Sequence, residues 1–96
     1  MPRPTSTAVD IDGAEALALQ ALTFLIVDAQ KLSRFMSLTG LGPDDLRTAA
    51  TSRELQAATL EYLLSDESLL LTFCQETGAA PLAIAPAYAI LTKQAL

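Results

Sequence analysis

The side chains that could do chemistry in this chain are two acidic pairs and one thiol. Asp44 and Asp45 form the first pair, Asp66 and Glu67 form the second, and Cys74 is the lone cysteine. Neighbouring carboxylates can hold a cation or act as general acid and base. Each pair, however, stands where a helix is predicted to begin, and carboxylates there satisfy backbone N–H groups and the helix dipole. Helix capping is therefore the favoured role of both pairs.

The lack of histidine removes most metal and nucleophile chemistry. With no His and one Cys, the chain cannot build a zinc site from the usual Cys and His ligands. The same composition excludes Ser-His-Asp and Cys-His catalysis. Cys74 stands among apolar neighbours, which favours a buried structural thiol, and a single cysteine suits a reducing compartment. The sequence thus predicts no catalytic residue, no cofactor and no metal.

Four of the six basic residues lie in the middle of the chain, which raises the question of nucleic-acid binding. They are Lys31, Arg34, Arg47 and Arg53. A net charge of −5 opposes non-specific binding to nucleic acids and anionic lipids. Residues 32–49 have the outline of a helix-turn-helix, but the second helix would start with Asp44 and Asp45, which repel phosphates. A solvated face of mixed charge is favoured over a weak basic patch.

The elements that position these side chains are predicted to be helices. Leu and Ala dominate a chain that is 51% hydrophobic, Val is scarce and Trp is absent, and this composition favours helix over strand. The predicted fold is all-α, a compact bundle of five to six helices in a single domain over residues 10–96. Residues 1–9 contain two prolines and small polar side chains, so we predict a disordered tail and not a signal peptide.

The first helix is predicted from its apolar body. Asp10 or Asp12 can cap it. Residues 16–27 are apolar except at Gln20 and Thr23, and they are too few to span a membrane, which takes about 18 residues or more. A helix that is apolar nearly all round is expected to be buried nearly all round. This helix is therefore predicted to lie at the centre of the domain.

Further helices are predicted from caps, glycine stops and apolar spacing. They are residues 29–39 after a cap at Asp28, residues 43–50, a helix opened by a capping box of Thr51 and Glu54, residues 67–76 after Asp66, and residues 86–95. The apolar set of the second helix is Leu32, Phe35, Met36 and Leu38. Its spacing predicts one buried face. Gly40 and Gly78 suit the left-handed residue that ends a helix. A turn is expected near Pro81, because Pro86 does not fit inside a helix that starts at residue 81.

Several of these signals recur 38 positions apart without a gap. The aligned pairs include Leu17 and Leu55, Leu22 and Leu60, Asp28 and Asp66, Phe35 and Phe73, Gly40 and Gly78, and Pro43 and Pro81. The match includes a cap, an aromatic residue, a glycine stop and a proline start, so it exceeds shared leucine richness. We predict two repeats of a helix-helix-turn-helix unit, at about residues 14–51 and 52–89, packed about a pseudo-twofold axis. Residues 28–39 and 66–77 should then superpose.

The order of several motifs also resembles a known family. The motifs are Glu15-Ala16-Leu17-Ala18-Leu19-Gln20-Ala21-Leu22, Leu32-Ser33-Arg34-Phe35, Leu38-Thr39-Gly40-Leu41-Gly42-Pro43-Asp44-Asp45-Leu46-Arg47 and Asp66-Glu67-Ser68-Leu69-Leu70. Over about residues 13–80 this pattern resembles a family of short alphaproteobacterial proteins known as a domain of unknown function. The segment after Pro81 departs from the more charged ending of that family. The resemblance implies a small cytoplasmic bacterial protein and supplies no activity and no site residues.

The function predicted from these observations is a non-enzymatic helical protein-interaction module, which self-associates or binds another protein. A chain of this size buries about 60–70% of its unfolded surface, so part of its large apolar fraction is expected to remain for a partner. The interface candidates are Leu19, Thr23 and Ile26 on the first helix and Tyr88 and Leu91 on the last. The alternatives are a nucleic-acid-linked regulator that uses the weak basic patch, and a small-molecule binder with a pocket between the two units.

Overall fold

Residues 10–95, the part of the chain that the computed structural model describes, form six α-helices and no strand. The helices are α1 (Ile11–Ile26), α2 (Ala29–Thr39), α3 (Pro43–Leu46), α4 (Arg53–Leu64), α5 (Glu67–Thr77) and α6 (Ile84–Ala95), with a 3-10 turn at Pro81–Ala83 before α6. The predicted all-α bundle is confirmed. The disordered tail predicted for residues 1–9 lies outside the described residues.

Four helices begin where a side chain accepts a backbone N–H. The caps are Asp10 at α1, Asp28 at α2, Ser52 at α4 and Asp66 at α5. Asp28 Oδ1, for example, accepts from the N–H groups of Gln30 at 2.9 Å and Lys31 at 3.1 Å. These N–H groups have no carbonyl partner inside the helix, so the cap satisfies donors that would otherwise need water. The predicted caps at Asp10, Asp28 and Asp66 are confirmed.

Two glycines end α2 and α5 in the same geometry. Gly40 has φ 77° and ψ 5°, and Gly78 has φ 79° and ψ 5°. A residue with a Cβ would be strained in this left-handed conformation. The threonine before each glycine bonds back into its helix. Thr39 Oγ1 donates to the Phe35 carbonyl at 2.6 Å, and Thr77 Oγ1 donates to the Phe73 carbonyl at 2.8 Å. We call each Thr-Gly pair a hinge. Both predicted glycine stops are confirmed.

The third helix is shorter than predicted. It ends at Leu46 and not at residue 50, and residues 47–51 form successive turns. The Thr48 N–H donates to the Asp45 carbonyl at 3.1 Å, a bond that joins residues three apart. The Thr48 hydroxyl donates to the same carbonyl at 2.7 Å. Such local bonds compete with the helical ladder, so the chain tightens after one helical turn.

The fourth helix is capped by Ser52, so the predicted capping box of Thr51 and Glu54 is wrong. Thr51 still belongs to the preceding turn, where its N–H donates to the Thr48 carbonyl at 3.0 Å. Ser52 is the first extended residue, with φ −101° and ψ 108°, and its hydroxyl accepts from the Leu55 N–H at 3.1 Å. A cap residue needs that extended backbone. The turn that shortens α3 therefore also decides where α4 begins.

The last helix begins at Ile84, two residues before the predicted start at Pro86. The chain first makes the 3-10 turn Pro81–Ala83, where a turn was predicted. Pro86 then occupies the first turn of α6, where backbone N–H groups have no partner inside the helix. The missing N–H of proline therefore costs little at this position.

The core forms where α1, α4 and α6 pack on one another, while α2 and α5 each contact α1 and α4. The large side chains with almost no exposure are Leu25, Phe35, Leu60, Leu63, Phe73, Ile84 and Leu91. Two edge-to-face aromatic pairs attach the outer helices. Phe35 of α2 meets Tyr62 of α4 at 5.0 Å between ring centroids. Phe73 of α5 meets Phe24 of α1 at 5.4 Å. Such pairs add to the apolar burial that holds the bundle together.

The prediction that α1 is buried nearly all round is wrong. One side of α1 is buried, but Ile26 is 44% exposed and Val27, just after the helix, is 76% exposed. A chain of this size has too few other helices to cover every face of a central one. The same shortage applies to α2, where Phe35 is buried as predicted but Leu38 is 65% exposed. The bundle therefore leaves apolar side chains in solvent on several helices, since Leu64 of α4 and Leu71 of α5 are exposed as well.

Several contacts relate positions that are 38 apart. Exchanging the two halves maps the pair of Phe35 and Tyr62 onto the pair of Phe73 and Phe24. Arg53 Nη1 donates to Glu15 Oε2, and residues 15 and 53 are themselves 38 apart, as positions near a twofold axis would be. The third helices do not correspond, because α3 is a single turn and α6 packs against both α1 and α4. The two-repeat organisation stays a prediction.

Candidate functional site

The acidic pairs sit at helix starts, and one carboxylate of each pair is a cap. Asp45 Oδ2 accepts from the Gly42 N–H at 2.7 Å before α3. Asp66 Oδ1 accepts from the Leu69 N–H at 3.2 Å in the first turn of α5. The other member of each pair is exposed. Within residues 10–95, no three Asp, Glu or Cys side chains gather as the ligands of a metal ion would.

Cys74 lies inside the bundle on α5. Its side chain is buried, and this burial raises the pKa of the thiol. The thiolate is the reactive form of cysteine, so a raised pKa keeps the group protonated and slow to react at neutral pH. The position agrees with the structural role favoured from the sequence.

Three of the four residues of the predicted basic patch are paired with carboxylates. The pairs are Lys31 with Asp28 at 3.0 Å, Arg47 with Asp44 at 3.8 Å, and Arg53 with Glu15. The hydrogen bond from Lys31 lowers the pKa of the Asp28 carboxyl. A neighbouring carboxylate offsets the attraction of a cation for phosphate. The structure therefore provides no specific observation in favour of nucleic-acid binding.

One buried polar cluster was not predicted from the sequence. Gln56 is 2% exposed, and its Nε2 donates to the Ala49 carbonyl at 2.7 Å. Gln56 Oε1 accepts from Arg53 Nη1 at 2.9 Å, and Arg53 also donates to Glu15. The sequence signal was a lone amide in an apolar helical stretch, since buried amides need partners. The cluster joins α1, the turn before α4 and α4 itself, and its bonds are already satisfied within the fold.

An apolar hollow lies between α1 and the end of α5, and we call it the α1–α5 groove. Its lining residues are Ala16, Leu19, Gln20, Thr23, Phe24, Val27, Glu76 and Thr77, and its volume is about 550 Å³. That volume lies within the range of ligand pockets, which is about 300–1,000 Å³. The groove is open along one side, however, as surfaces that accept an extended partner element are.

The floor of the α1–α5 groove is packed against its neighbours. The buried ring of Phe24 packs edge-to-face on Phe73, and Lys31 Nζ lies 5.6 Å from the Phe24 ring centroid. The Thr23 hydroxyl donates to the Leu19 carbonyl at 2.9 Å, so it is satisfied within α1. A groove with these fixed contacts exists before a partner binds, which reduces the entropy lost on binding.

A second hollow lies between α4 and the end of α2, and we call it the α2–α4 groove. It is lined by Leu38, Thr39, Ala58, Glu61, Tyr62 and Ser65, and its volume is about 390 Å³. Each lining residue stands 38 positions from a residue of the α1–α5 groove. Glu61 and Ser65 replace Thr23 and Val27, which makes this groove more polar. The hydroxyl of Tyr88 lies 3.5 Å from Glu61 Oε2.

A further depression, about 830 Å³, follows the outer face of α2. Its lining residues are Ala29, Gln30, Lys31, Ser33, Arg34, Ser37 and Leu38. All of them belong to one helix, so the depression has no opposing wall. A ligand there would remain mostly in water, and the depression is therefore a weaker candidate than the two grooves.

The structure separates the five predicted interface residues. Leu19 and Thr23 line the α1–α5 groove, and Ile26 is exposed one helical turn beyond Thr23. Tyr88 is half-buried and lies beside the α2–α4 groove. Leu91 is fully buried in the core and offers no surface to a partner of the folded chain. The first-helix candidates thus share one surface, and the last-helix candidates do not belong to it.

Val27 and Glu76 are among the groove residues that were not predicted from the sequence. Val27 is 76% exposed at the end of the groove, and Glu76 provides a carboxylate on the α5 side. Val27 could have been found, because it continues the helical spacing of the polar positions Gln20 and Thr23. Glu76 could not, because its place depends on how α5 crosses α1.

No helix within residues 10–95 is both long and apolar enough to cross a membrane. No curated protein and no solved structure matches the chain. A family model described as a protein of unknown function, DUF3572, matches residues 11–94. The resemblance to a domain of unknown function is thus confirmed. Since the match includes nearly all of the six-helix bundle, the chain belongs to the DUF3572 family.

Proposed function

We propose that this protein is a non-enzymatic interaction module that binds a partner protein in the α1–α5 groove. The observation that carries the proposal is the exposed apolar side of α1, where Leu19 lines the groove and Ile26 and Val27 reach solvent at its end. Apolar side chains exposed side by side next to a concave wall are typical of protein-binding surfaces.

The size of the groove indicates an anchoring contact within a larger interface. Fully burying one exposed aliphatic side chain contributes about 1.5–3 kcal/mol. Association itself loses roughly 4–15 kcal/mol of translational and rotational free energy, so Val27 and Ile26 cannot supply a stable complex alone. The partner must therefore contact surface beyond the groove, and a segment longer than a few residues is required.

The proposal of a non-enzymatic role rests on how the chemistry-bearing groups are used. Asp45 and Asp66 bind backbone N–H groups, and Glu15 binds Arg53. The buried Cys74 is held protonated by its raised pKa. Together with the lack of histidine, these contacts support a role without catalysis.

We also propose that the protein resides in the cytoplasm of an alphaproteobacterium. This part of the proposal is supported by the lone, buried Cys74, which suits a reducing compartment, and by the resemblance of the helix motifs. Cell fractionation of an epitope-tagged chain tests it. Recovery of the chain in the periplasm or the membrane pellet would contradict this location.

The test of the interaction uses two matched substitutions. Val27→Lys and Leu82→Lys replace side chains of nearly equal exposure, 76% and 78%, with the same charge. Leu82 lies in the 3-10 turn, outside the α1–α5 groove. We expect affinity capture from host extract, read by mass spectrometry, to recover a partner with wild type and Leu82→Lys but not with Val27→Lys. Equal recovery by both variants, or no specific partner for wild type, would refute the proposal.

Self-association is the second arm of the same test. Light scattering across a dilution series distinguishes a monomer from a dimer. A dimer that dissociates on Val27→Lys but persists on Leu82→Lys would identify a second copy as the occupant of the groove. A dimer that both variants retain would place the self-association elsewhere on the surface.

A further inference from the structure

The exposed side of α1 has the spacing of a helix-packing seam. Ala16, Gln20, Thr23 and Val27 line the groove at intervals of four, three and four residues. This is the spacing of the a and d positions on one helix of a two-helix coiled coil, and we call this row of residues the seam. Side chains of a facing helix insert between its turns. The small side chains of Ala16 and Thr23 allow close approach. A helix lying along α1 therefore fits this surface better than a strand, which would need an open sheet edge.

The charges beside the seam are acidic. Glu76 stands in the α5 wall of the groove, and Asp12 is exposed at the start of α1. Within residues 10–95, neither carboxylate takes part in an ion pair. Lys31, whose Nζ lies 5.6 Å from the Phe24 ring centroid, is held 3.0 Å from Asp28. The groove therefore attracts positive charge at its edges.

The same charges disfavour a second copy of this chain as the occupant. Each copy carries a net charge of −5, and a symmetric contact through this surface would bring the acidic edges together. Like charges across an interface weaken association and steer the wrong partner away. A partner whose flanking residues are Lys or Arg is attracted by these carboxylates, whereas a second copy is repelled by them.

We infer that the α1–α5 groove binds an amphipathic helix of a partner protein, with apolar residues on the seam and Lys or Arg facing Glu76 and Asp12. This inference rests on the proposed function and specifies its partner. The helix lies along α1, and its apolar residues pack between Ala16 and Val27. Its basic flank pairs with the carboxylates, which sets its orientation and register.

The probe is a phage-displayed library of single helices on the order of 20 residues long, enough to hold a helix in isolation. The seam and flank positions of the library are randomised. Selection on wild-type protein is expected to enrich apolar residues at heptad spacing and Lys or Arg on one flank. Selection of extended peptides, of helices without a basic bias, or of no binder at all would overturn the inference.

A charge reversal tests the role of Glu76. Glu76→Lys is expected to weaken the selected helices by about fivefold at low salt, the effect of turning one exposed attraction into a repulsion. Replacing the facing Lys or Arg of the helix by Glu should restore binding to the variant. Glu61→Lys makes the same change in the α2–α4 groove and should leave binding unchanged. Loss of binding with both variants, or with neither, would contradict the proposed contact.

The two proposals fail in different ways. A partner captured from host extract that depends on Val27 but ignores Glu76→Lys would leave the interaction module in place and overturn the basic helix. A chain without any Val27-dependent partner would overturn both. A dimer that dissociates on Val27→Lys would support the groove as a binding surface and replace the partner helix with a second copy.

Discussion

The two halves of this chain share their Asp caps, Thr-Gly hinges and aromatic contacts. They differ in the helix that follows the hinge. Each half places a long helix, an Asp-capped second helix and a Thr-Gly hinge, and each buries one phenylalanine against an aromatic ring of the other half. After the hinge, the first half makes one helical turn at Pro43–Leu46, whereas the second half makes the long helix Ile84–Ala95. The shared caps, hinges and aromatic contacts stabilise the bundle. The difference between α3 and α6 determines which surfaces remain exposed.

The difference is visible in the two grooves. Each groove lies between a long helix and the end of the other half's second helix. The α1–α5 groove has an exposed valine at its end, while Glu61 of the α2–α4 groove lies 3.5 Å from the hydroxyl of Tyr88 beside that groove. Because Tyr88 of α6 contacts Glu61, the related positions 23 and 61 have different surroundings. Both halves line each groove, so the asymmetry lies in which side chains reach the two grooves and not in separate roles of the halves.

The largest expected effect tests the shared core. Phe35→Ala and Phe73→Ala each remove a fully buried ring and its aromatic contact. Each variant should lose about 3–5 kcal/mol of unfolding free energy, measured by urea denaturation. If the halves are equivalent, the two losses should agree within about 1 kcal/mol. A loss confined to one variant would show that the two aromatic pairs are not equivalent.

The next largest effect tests whether α3 and α6 contribute unequally to the core. Ile84 of α6 is fully buried and Leu46 of α3 is half-buried, although the two stand at corresponding positions. Ile84→Ala should cost about 2–5 kcal/mol in urea unfolding, and Leu46→Ala about half as much, because less apolar surface leaves the core. Equal losses would show that α3 contributes as much to the core as α6, which contradicts the unequal roles of the two endings.

Substitution of the two hinge glycines should destabilise the protein equally, and by less than the core substitutions do. Gly40→Ala and Gly78→Ala place a Cβ at φ 77° and 79°, and the added Cβ meets no atom within 4 Å in either hinge. The loss therefore comes from backbone strain alone, about 1–2 kcal/mol in each case. Thermal unfolding of both variants measures it. A hinge that tolerates alanine without loss would have a different geometry from its counterpart.

The smallest expected effect distinguishes the two Asp caps. Asp28 binds Lys31, whereas Leu69 occupies the corresponding place after Asp66. The hydrogen bond from Lys31 lowers the pKa of Asp28 below its ordinary value of 3.8. The stability that this pair contributes is therefore present above the ordinary pKa and is lost as the pH falls through the lowered one. In an NMR titration, Lys31→Met should raise the Asp28 midpoint. An unchanged midpoint would contradict the pairing.

The sequence predicted those features that depend on a few neighbouring residues. The caps at Asp28 and Asp66 and the stops at Gly40 and Gly78 follow from local hydrogen bonding and backbone freedom, so they were predictable. The Ser52 cap was not, because the choice between Thr51 and Ser52 depends on how the preceding turn closes. A one-residue difference in that turn moves the whole helix start.

Exposure was harder to predict, because it depends on which helices cover which faces. The apolar run of α1 predicted burial all round, but Val27 is 76% exposed among residues 10–95. Leu91 was assigned to an interface, and the position of α6 between α1 and α4 buries it. Of the candidate groove, the sequence supplied Leu19 and Thr23. It could not supply Glu76, which reaches the groove through the packing of α5.

Photo-crosslinking in living host cells compares the two grooves in a single experiment. A photoreactive amino acid is placed at position 23 in the α1–α5 groove or at position 61 in the α2–α4 groove, since both side chains are exposed at corresponding places. We expect a discrete adduct from position 23, containing another protein, and none from position 61. Adducts from position 61 alone, equal adducts from both positions, or no adduct from either would contradict the assignment of the α1–α5 groove as the binding surface.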